Sequence, residues 1–209
     1  MNGTLVQARI YAGYAKAAAR VGQPYALYRA SSPISPIEPG NLIGTFDCLF
    51  AAEKSFQVPS KFKIPHRYLY ADGVRLQQRD ILLGPYGTFL VGDMQPNLPM
   101  QAIRCNDSIS IERPEYQGTA IVPVPVAFAM PCFRQLKKLD QKPVNAAYGA
   151  STAATPIGEW FLFAPIEWTV VRQNDIVTDQ TGRKYTVSTI DPTEIGTVMV
   201  IRQSDTETT

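Results

Sequence analysis

Residues Asn174-Asp175-Ile176-Val177-Thr178-Asp179-Gln180-Thr181-Gly182-Arg183-Lys184-Tyr185-Thr186-Val187 decide the fold. An aspartate precedes an apolar pair, a group of turn formers follows, and a strand-like run closes the stretch. This order predicts a β-hairpin. Asp175 opens the first strand at a turn, the apolar pair buries, and Gly182 supplies a positive φ at the reversal. The same word occurs earlier, as Arg79-Asp80-Ile81-Leu82, the turn Gly84-Pro85-Tyr86-Gly87, and Thr88-Phe89-Leu90-Val91. In both stretches a glycine stands seven residues after the aspartate. Gly87, Gly182, Asp80 and Asp175 are therefore read as turn residues of two small β modules, with chance recurrence of a common hairpin as the alternative.

Outward from these hairpins the texture stays β. Strand-like runs fall at 41–50, 67–71, 80–83, 88–94, 101–112 and 119–129, and again at 159–171, 175–178, 184–190 and 197–203. Short strands at close spacing with turn signals argue a sandwich or barrel. The expected fold is mainly β with an N-terminal α-helix: one or two small antiparallel barrel or sandwich modules plus extended arms. The expected division is a helix over 1–23, a Pro-rich extended arm over 24–40, a first β module over 41–113, a second over 114–203 containing a flexible loop at 140–157, and a polar tail at 204–209. Three prolines in 31–40 exclude regular structure there.

The helix has the strongest local signal. Thr4 to Val21 holds six alanines and no proline. Asn2 or Thr4 suits the N-cap, and Gly22 suits a left-handed residue at the C-terminal end. Ile10, Tyr14, Ala17 and Val21 make an apolar stripe, and Arg9, Lys16 and Arg20 make a cationic face. Arg9, Ile10, Tyr14, Lys16 and Arg20 are candidate docking residues for an acidic neighbour or nucleic acid. The alternative is an ordinary amphipathic helix with a solvated face. The stripe needs a cover, and the prolines after residue 23 favour a neighbouring subunit over the helix's own β body.

Composition narrows the class. The chain has 209 residues, of which 45% are hydrophobic and 18% charged, with a net charge of +2. That is globular composition with too little charge for a disordered tail, and too little net charge to argue for nucleic acid by itself. No apolar run approaches the roughly 20 residues that span a bilayer, and Arg9 and Lys16 interrupt any signal-peptide pattern. Cys48, Cys105 and Cys132 form no CxxC pair and read as buried thiols in a reducing compartment.

The residues offer little chemistry. No nucleophile elbow, zincin, phosphate-loop or dinucleotide motif is present. A single histidine, His66, leaves little for acid–base work, and no cofactor or metal is expected. The densest charge is Arg134, Lys137, Lys138 and Lys142, a candidate basic loop that suits either a phosphate backbone or a solvated hairpin tip. The expectation is a non-enzyme.

Three stretches resemble a family of tailed-bacteriophage structural proteins: Ala8 through Ala30, Gly84 to Cys105, and Asn174 to Val187. The last resembles the Gly-Asp, apolar pair, Asp-Gly, Tyr-x-Val hairpin of phage head–tail joining proteins. It departs from that pattern with Asn174 in place of Gly and Thr181 before Gly182. The resemblance implies a virion protein assembled in the bacterial cytoplasm, forming a homo-oligomeric ring at the neck (adaptor, stopper or collar) or in the tail hub. Its implied partners are other neck, portal and tail proteins, with non-specific proximity to genomic DNA and no membrane. It carries over no active-site residue. Two alternatives stand beside it. One is a receptor- or carbohydrate-binding β module of the tail, for which exposed aromatics on one concave face would speak. The other is a small hydrolase assembled from His66, Cys132 and Asp80.

Overall fold

A computed structural model describes residues 3–52, 66–137, 158–167 and 170–204. The chain opens with helix α1 (Gly3–Val21). Six strands follow: β1 (Gln23–Tyr28), β2 (Leu42–Ala52), β3 (His66–Tyr70), β4 (Ile81–Gly84), β5 (Gly87–Val91) and β6 (Met100–Arg104). Six more complete it: β7 (Asp107–Gln117), β8 (Ala120–Leu136), β9 (Glu159–Ala164), β10 (Ile176–Asp179), β11 (Lys184–Thr193) and β12 (Gly196–Gln203). The first six close into an antiparallel barrel in the order β1-β2-β3-β6-β5-β4, and the second six in the order β7-β8-β9-β12-β11-β10. These are one topology used twice. Closure leaves no open edge within either six-stranded ring, and only the β7–β8 extension projects beyond it.

The two copies match residue by residue. Leu27 opposes Leu82 in the first barrel as Ile111 opposes Val177 in the second. Leu69 opposes Met100 as Leu162 opposes Met199, and all four are fully buried. Cys48 and Cys132 take equivalent interior positions. Each barrel therefore fills its interior with one alternating face of its strands.

The barrels meet through their outer faces. Ile81, Leu90 and Ile103, cross-strand partners on the outside of the first barrel, form one buried cluster with Phe163 of the second. Ile195 and Val198 pack on the same cluster. Arg79 donates to Glu167 Oε1 and to the Glu194 carbonyl across the junction, both at 3.2 Å.

Several expected boundaries change. Residues 23–28, assigned to the helix end and the arm, are β1 and pair with both β2 and β4. Pro24 is tolerated as the second residue of the strand, where it stays exposed. The run at 101–112 is two strands of different barrels, parted at Cys105-Asn106, so the module boundary lies there and not at 113/114. The 31–40 segment is a strap rather than a free arm. Ser35 donates to the Phe128 carbonyl at 2.9 Å, Phe128 donates back to Pro33 at 3.2 Å, and Pro36 is buried. The strap thus ties the first barrel's chain to β8. The loop at 140–157 lies outside the described residues, as does the tail beyond Ser204.

Helix α1 lies on its own barrel. Its contact line is Gln7, Tyr11, Tyr14 and Ala18, rotated from the expected Ile10-Tyr14-Ala17-Val21 stripe. Tyr14 meets Tyr70 edge-on at 5.0 Å, Ala18 is buried, and Gln7 Oε1 accepts from Asn97 N at 2.6 Å. Val21 is 65% exposed. Tyr11 packs over Gly73, where a Cβ would sit 2.6 Å from the ring. Thr4 falls inside the helix and not at its cap. Gly22 is not left-handed. It is needed because a Cβ there would collide with the Ala18 carbonyl and lie 2.8 Å from that of Cys48.

Candidate functional site

The repeated aspartates stand where each barrel begins its fourth strand, and both are almost wholly buried. Each is clamped by an arginine two residues after the last inward position of the barrel's first strand, Arg29 after Leu27 and Arg113 after Ile111. Arg29 donates to both oxygens of Asp80 at 2.8 Å, and Arg113 to both oxygens of Asp175 at 2.9 Å. The same guanidiniums cap the Arg75 and Val170 carbonyls. Each aspartate also accepts a backbone N–H from three residues upstream, Gln77 or Arg172, at 2.7 Å. Arg79 and Asn174, the residues before the aspartates, both have positive φ, near 70°. Gly87 and Gly182 do too, with φ of 108° and 83°. The four turn residues read from sequence are thus placed as expected. Their clamping partners, Arg29 and Arg113, were missed. The signal was an arginine two residues after a buried strand position, in Leu27-x-Arg29 and Ile111-x-Arg113.

Of the basic cluster, Arg134 and Lys137 are described, and neither is a free cation of a loose loop. Arg134 lies within β8 at the mouth of the second barrel. It pairs with Asp107 at 2.9 Å and Asp179 at 2.8 Å and also reaches the Tyr185 hydroxyl. Its guanidinium stands 4.9 Å from the Trp160 ring centroid and 5.3 Å from that of Tyr185. Asp179 is buried, which pushes its pKa up, but donors from Thr181, Arg134 and the Arg183 amide outweigh this and hold it well below the usual range. Lys137 pairs with Glu159 at 2.7 Å. The basic-loop reading does not fit these two: Arg134 is held inside the barrel mouth by two carboxylates, and Lys137 is paired at its rim. Lys138 and Lys142 lie outside the described residues.

The first barrel has an open mouth instead. A cavity of about 760 Å³ is lined by residues that include Gln23, Phe50, Arg67, Tyr86, Phe89 and Arg104. Phe50 and Phe89 stack at 3.9 Å to form its floor. Arg67 and Arg104 have no acidic partner among the described residues, and nothing in the sequence reading singled them out.

The helix candidates Arg9, Lys16 and Arg20 are exposed, whereas Tyr14 is spent on the barrel. The residues of the hydrolase alternative do not converge. Cys132 is inside the second barrel, His66 is on β3 of the first, and Asp80 is held by Arg29. Burial pushes the Cys132 thiol far up, and those of Cys48 and Cys105 to about 12. Among the described residues no cluster of His, Cys, Asp and Glu is suited to a metal, and no helix is long and apolar enough to cross a membrane. Comparison with family models, curated proteins and solved structures finds no match.

Proposed function

We propose that this chain is a structural subunit of a tailed-phage virion, forming a closed homo-oligomeric ring at the head–tail interface or in the tail hub. The observation that carries this reading is the β7–β8 ribbon. The barrel neighbour of β7 stops at Glu112, and the neighbour of β8 pairs only with 133–136, so 113–125 continues as two strands alone. One face of this extension holds Pro114, Tyr116, Ile121, Pro123 and Pro125, all exposed. Tyr116 is 79% exposed and Ile121, directly opposite it, 59%. A two-stranded ribbon is marginal alone in water, and such a face is an interaction surface. The three prolines cannot donate along a strand, so they oppose edge-on pairing and leave the face as the contact.

A ring subunit needs this combination: a stiff body of clamped barrels and a projecting element that a neighbour covers through a heterologous contact. The partners are copies of this chain and the adjoining neck, portal or tail proteins. The exposed aromatics Tyr86, Tyr116 and Phe128 are spread over the β4–β5 turn and the ribbon, so no specific observation favours the carbohydrate-binding reading. The test is the double variant Y116S/I121S, scored by native mass of the protein extracted from particles and by particle assembly. The expected result is a folded chain with unchanged melting that no longer enters particles. A wild-type chain that stays monomeric and never co-purifies with capsids or tails overturns the reading.

A further inference from the structure

The duplication supplies an internal comparison, because the same barrel mouth occurs twice with different side chains. Strand registers place Gln23 where the second barrel has Asp107, and Gly84 where it has Asp179. They place Phe50 at the position of Arg134, Phe89 at that of Tyr185, Arg67 at that of Trp160, and Arg104 at that of Gln203. The second mouth holds one arginine and the two carboxylates that neutralise it. The first has exchanged both carboxylates for neutral residues and carries two arginines. It also keeps an open cavity of about 760 Å³, at the place where Arg134 and its two carboxylates sit in the second.

Both arginines belong to the inward set. Arg67 alternates with the buried Leu69 and Ala71, and Arg104 with the buried Ala102 and Met100. Arg67 opposes Ala102, so Arg104 is its diagonal neighbour, roughly 7–8 Å away along the sheet. Two like charges at one mouth repel unless an anion sits between them. The buried Tyr25 hydroxyl underneath makes no well-formed hydrogen bond, although the Tyr86 backbone comes near it.

We propose that the mouth of the first barrel, between Arg67 and Arg104, is a binding site for the carboxylate side chains of an acidic polypeptide. The carboxylate chemistry is the one this scaffold already uses, since Asp107 and Asp179 meet the arginine of the second mouth in the same frame. The stacked Phe50 and Phe89 floor takes the methylenes of an entering glutamate, and the arginine forks take its carboxylate. The site stands on this geometry alone and is tested on the isolated chain, independently of any place in a particle.

The experiment is a titration of the full chain followed by NMR of the arginine Nε–H signals, with capped hexaglutamate as the probe. Hexathymidylate and inorganic phosphate are run in parallel. The Arg67 and Arg104 signals should shift and saturate with the peptide, while Arg134, already paired, stays still. R67Q/R104Q should weaken the peptide's Kd at least about tenfold, as loss of charge-assisted pairs requires. Should the Arg134 signal show that the double variant is misfolded, R104Q alone, at an exposed position, must still weaken binding. No saturable shift, an unchanged Kd in the folded variant, or a response to hexathymidylate or phosphate but not to the peptide overturns the proposal.

Discussion

Arg113, the first residue of β7 beyond its pairing with β10, closes a two-pronged hydrogen bond on Asp175, at the head of β10, over 62 residues of sequence. The pair joins the two strands at their paired end, with the Arg172 amide donating to the aspartate and the Val170 carbonyl accepting from the arginine. Asp80 and Arg29 repeat the arrangement in the first barrel. A buried carboxylate is costly unless its partners are complete. The clamp therefore fixes which strands lie side by side as the barrel closes.

Breaking the clamp should unfold its barrel. R113M leaves Asp175 buried and unpaired and should cost about 3 kcal/mol. R29M should cost less, because Arg29 is 32% exposed against 18% for Arg113 and water can reach its carboxylate more easily. D175N/R113M should recover part of the loss. Urea denaturation followed by circular dichroism measures all three, and an R113M loss below 1 kcal/mol would show that water replaces the arginine.

The glycines separate two kinds of constraint. Gly87 and Gly182 have open space or ordinary contact at their Cβ positions but positive φ. Valine at either should destabilise by roughly 1–3 kcal/mol through backbone strain. Gly22 has the opposite problem, since its backbone is unremarkable and its space is taken by Ala18 and Cys48. G22A should therefore destabilise, although alanine is the better helix former. Thermal melts of the three variants check both statements, and a stabilised G22A would refute the contact argument.

Much of the β architecture was legible because hairpins are local. Asp80, Gly87, Asp175 and Gly182 signal their turns within a dozen residues. What stayed hidden was long-range. Nothing near Arg134 reveals that Asp107 and Asp179 will surround it, so a buried plug read as a basic loop. Pro24 to Tyr28 read as the start of an arm because Pro24 opens it, yet closure of the barrel requires Gln23–Tyr28 as a strand between β2 and β4. The helix stripe was displaced because alanine is so frequent that several faces looked equally apolar, and only the tyrosines decide between them. The open mouth of the first barrel was invisible for the same reason as the plug: Arg67 and Arg104 are far apart in sequence and meet only through the β3–β6 pairing.

The thiols should be inert. Burial raises the pKa of all three described cysteines, Cys48 and Cys105 to about 12. Iodoacetamide at pH 8 should leave the native chain unmodified and alkylate all three after denaturation, as read by intact mass. Rapid native labelling of Cys132 would mean that the second barrel opens readily.

Acid should weaken the second barrel through Asp179. Its folded pKa lies below its unfolded value of about 3.9. The stabilisation is therefore complete above pH 4 and is lost as the pH falls through the folded value. On the order of 2 kcal/mol is at stake for a carboxylate held this way. D179N should be less stable at pH 7 and should show a flatter pH dependence below pH 4. If wild type and D179N lose stability in parallel between pH 4 and pH 2, the carboxylate is not the acid-sensitive group.

Helix α1 sets the last test, because the structure reverses the expectation that a neighbouring subunit must cover it. Tyr11, Tyr14 and Ala18 lie on the first barrel, and Tyr14 meets Tyr70 edge to face. An isolated helix of this length is marginal in water, so these contacts hold it. Y14A should cost roughly 1–3 kcal/mol, and deletion of residues 1–22 should uncover the same surface and give a less stable or aggregating chain. The cationic face is a separate matter. Arg9, Lys16 and Arg20 are exposed, so R9E/K16E/R20E should fold with nearly wild-type stability. Under the proposed virion role, complementation of a phage lacking the gene reads docking alone. Loss of filled, tailed particles with the charge-reversed chain would place an acidic partner against that face, and normal particles would leave it a solvated surface. A deletion of residues 1–22 that melts like the full chain would contradict the packing of α1 on its own barrel.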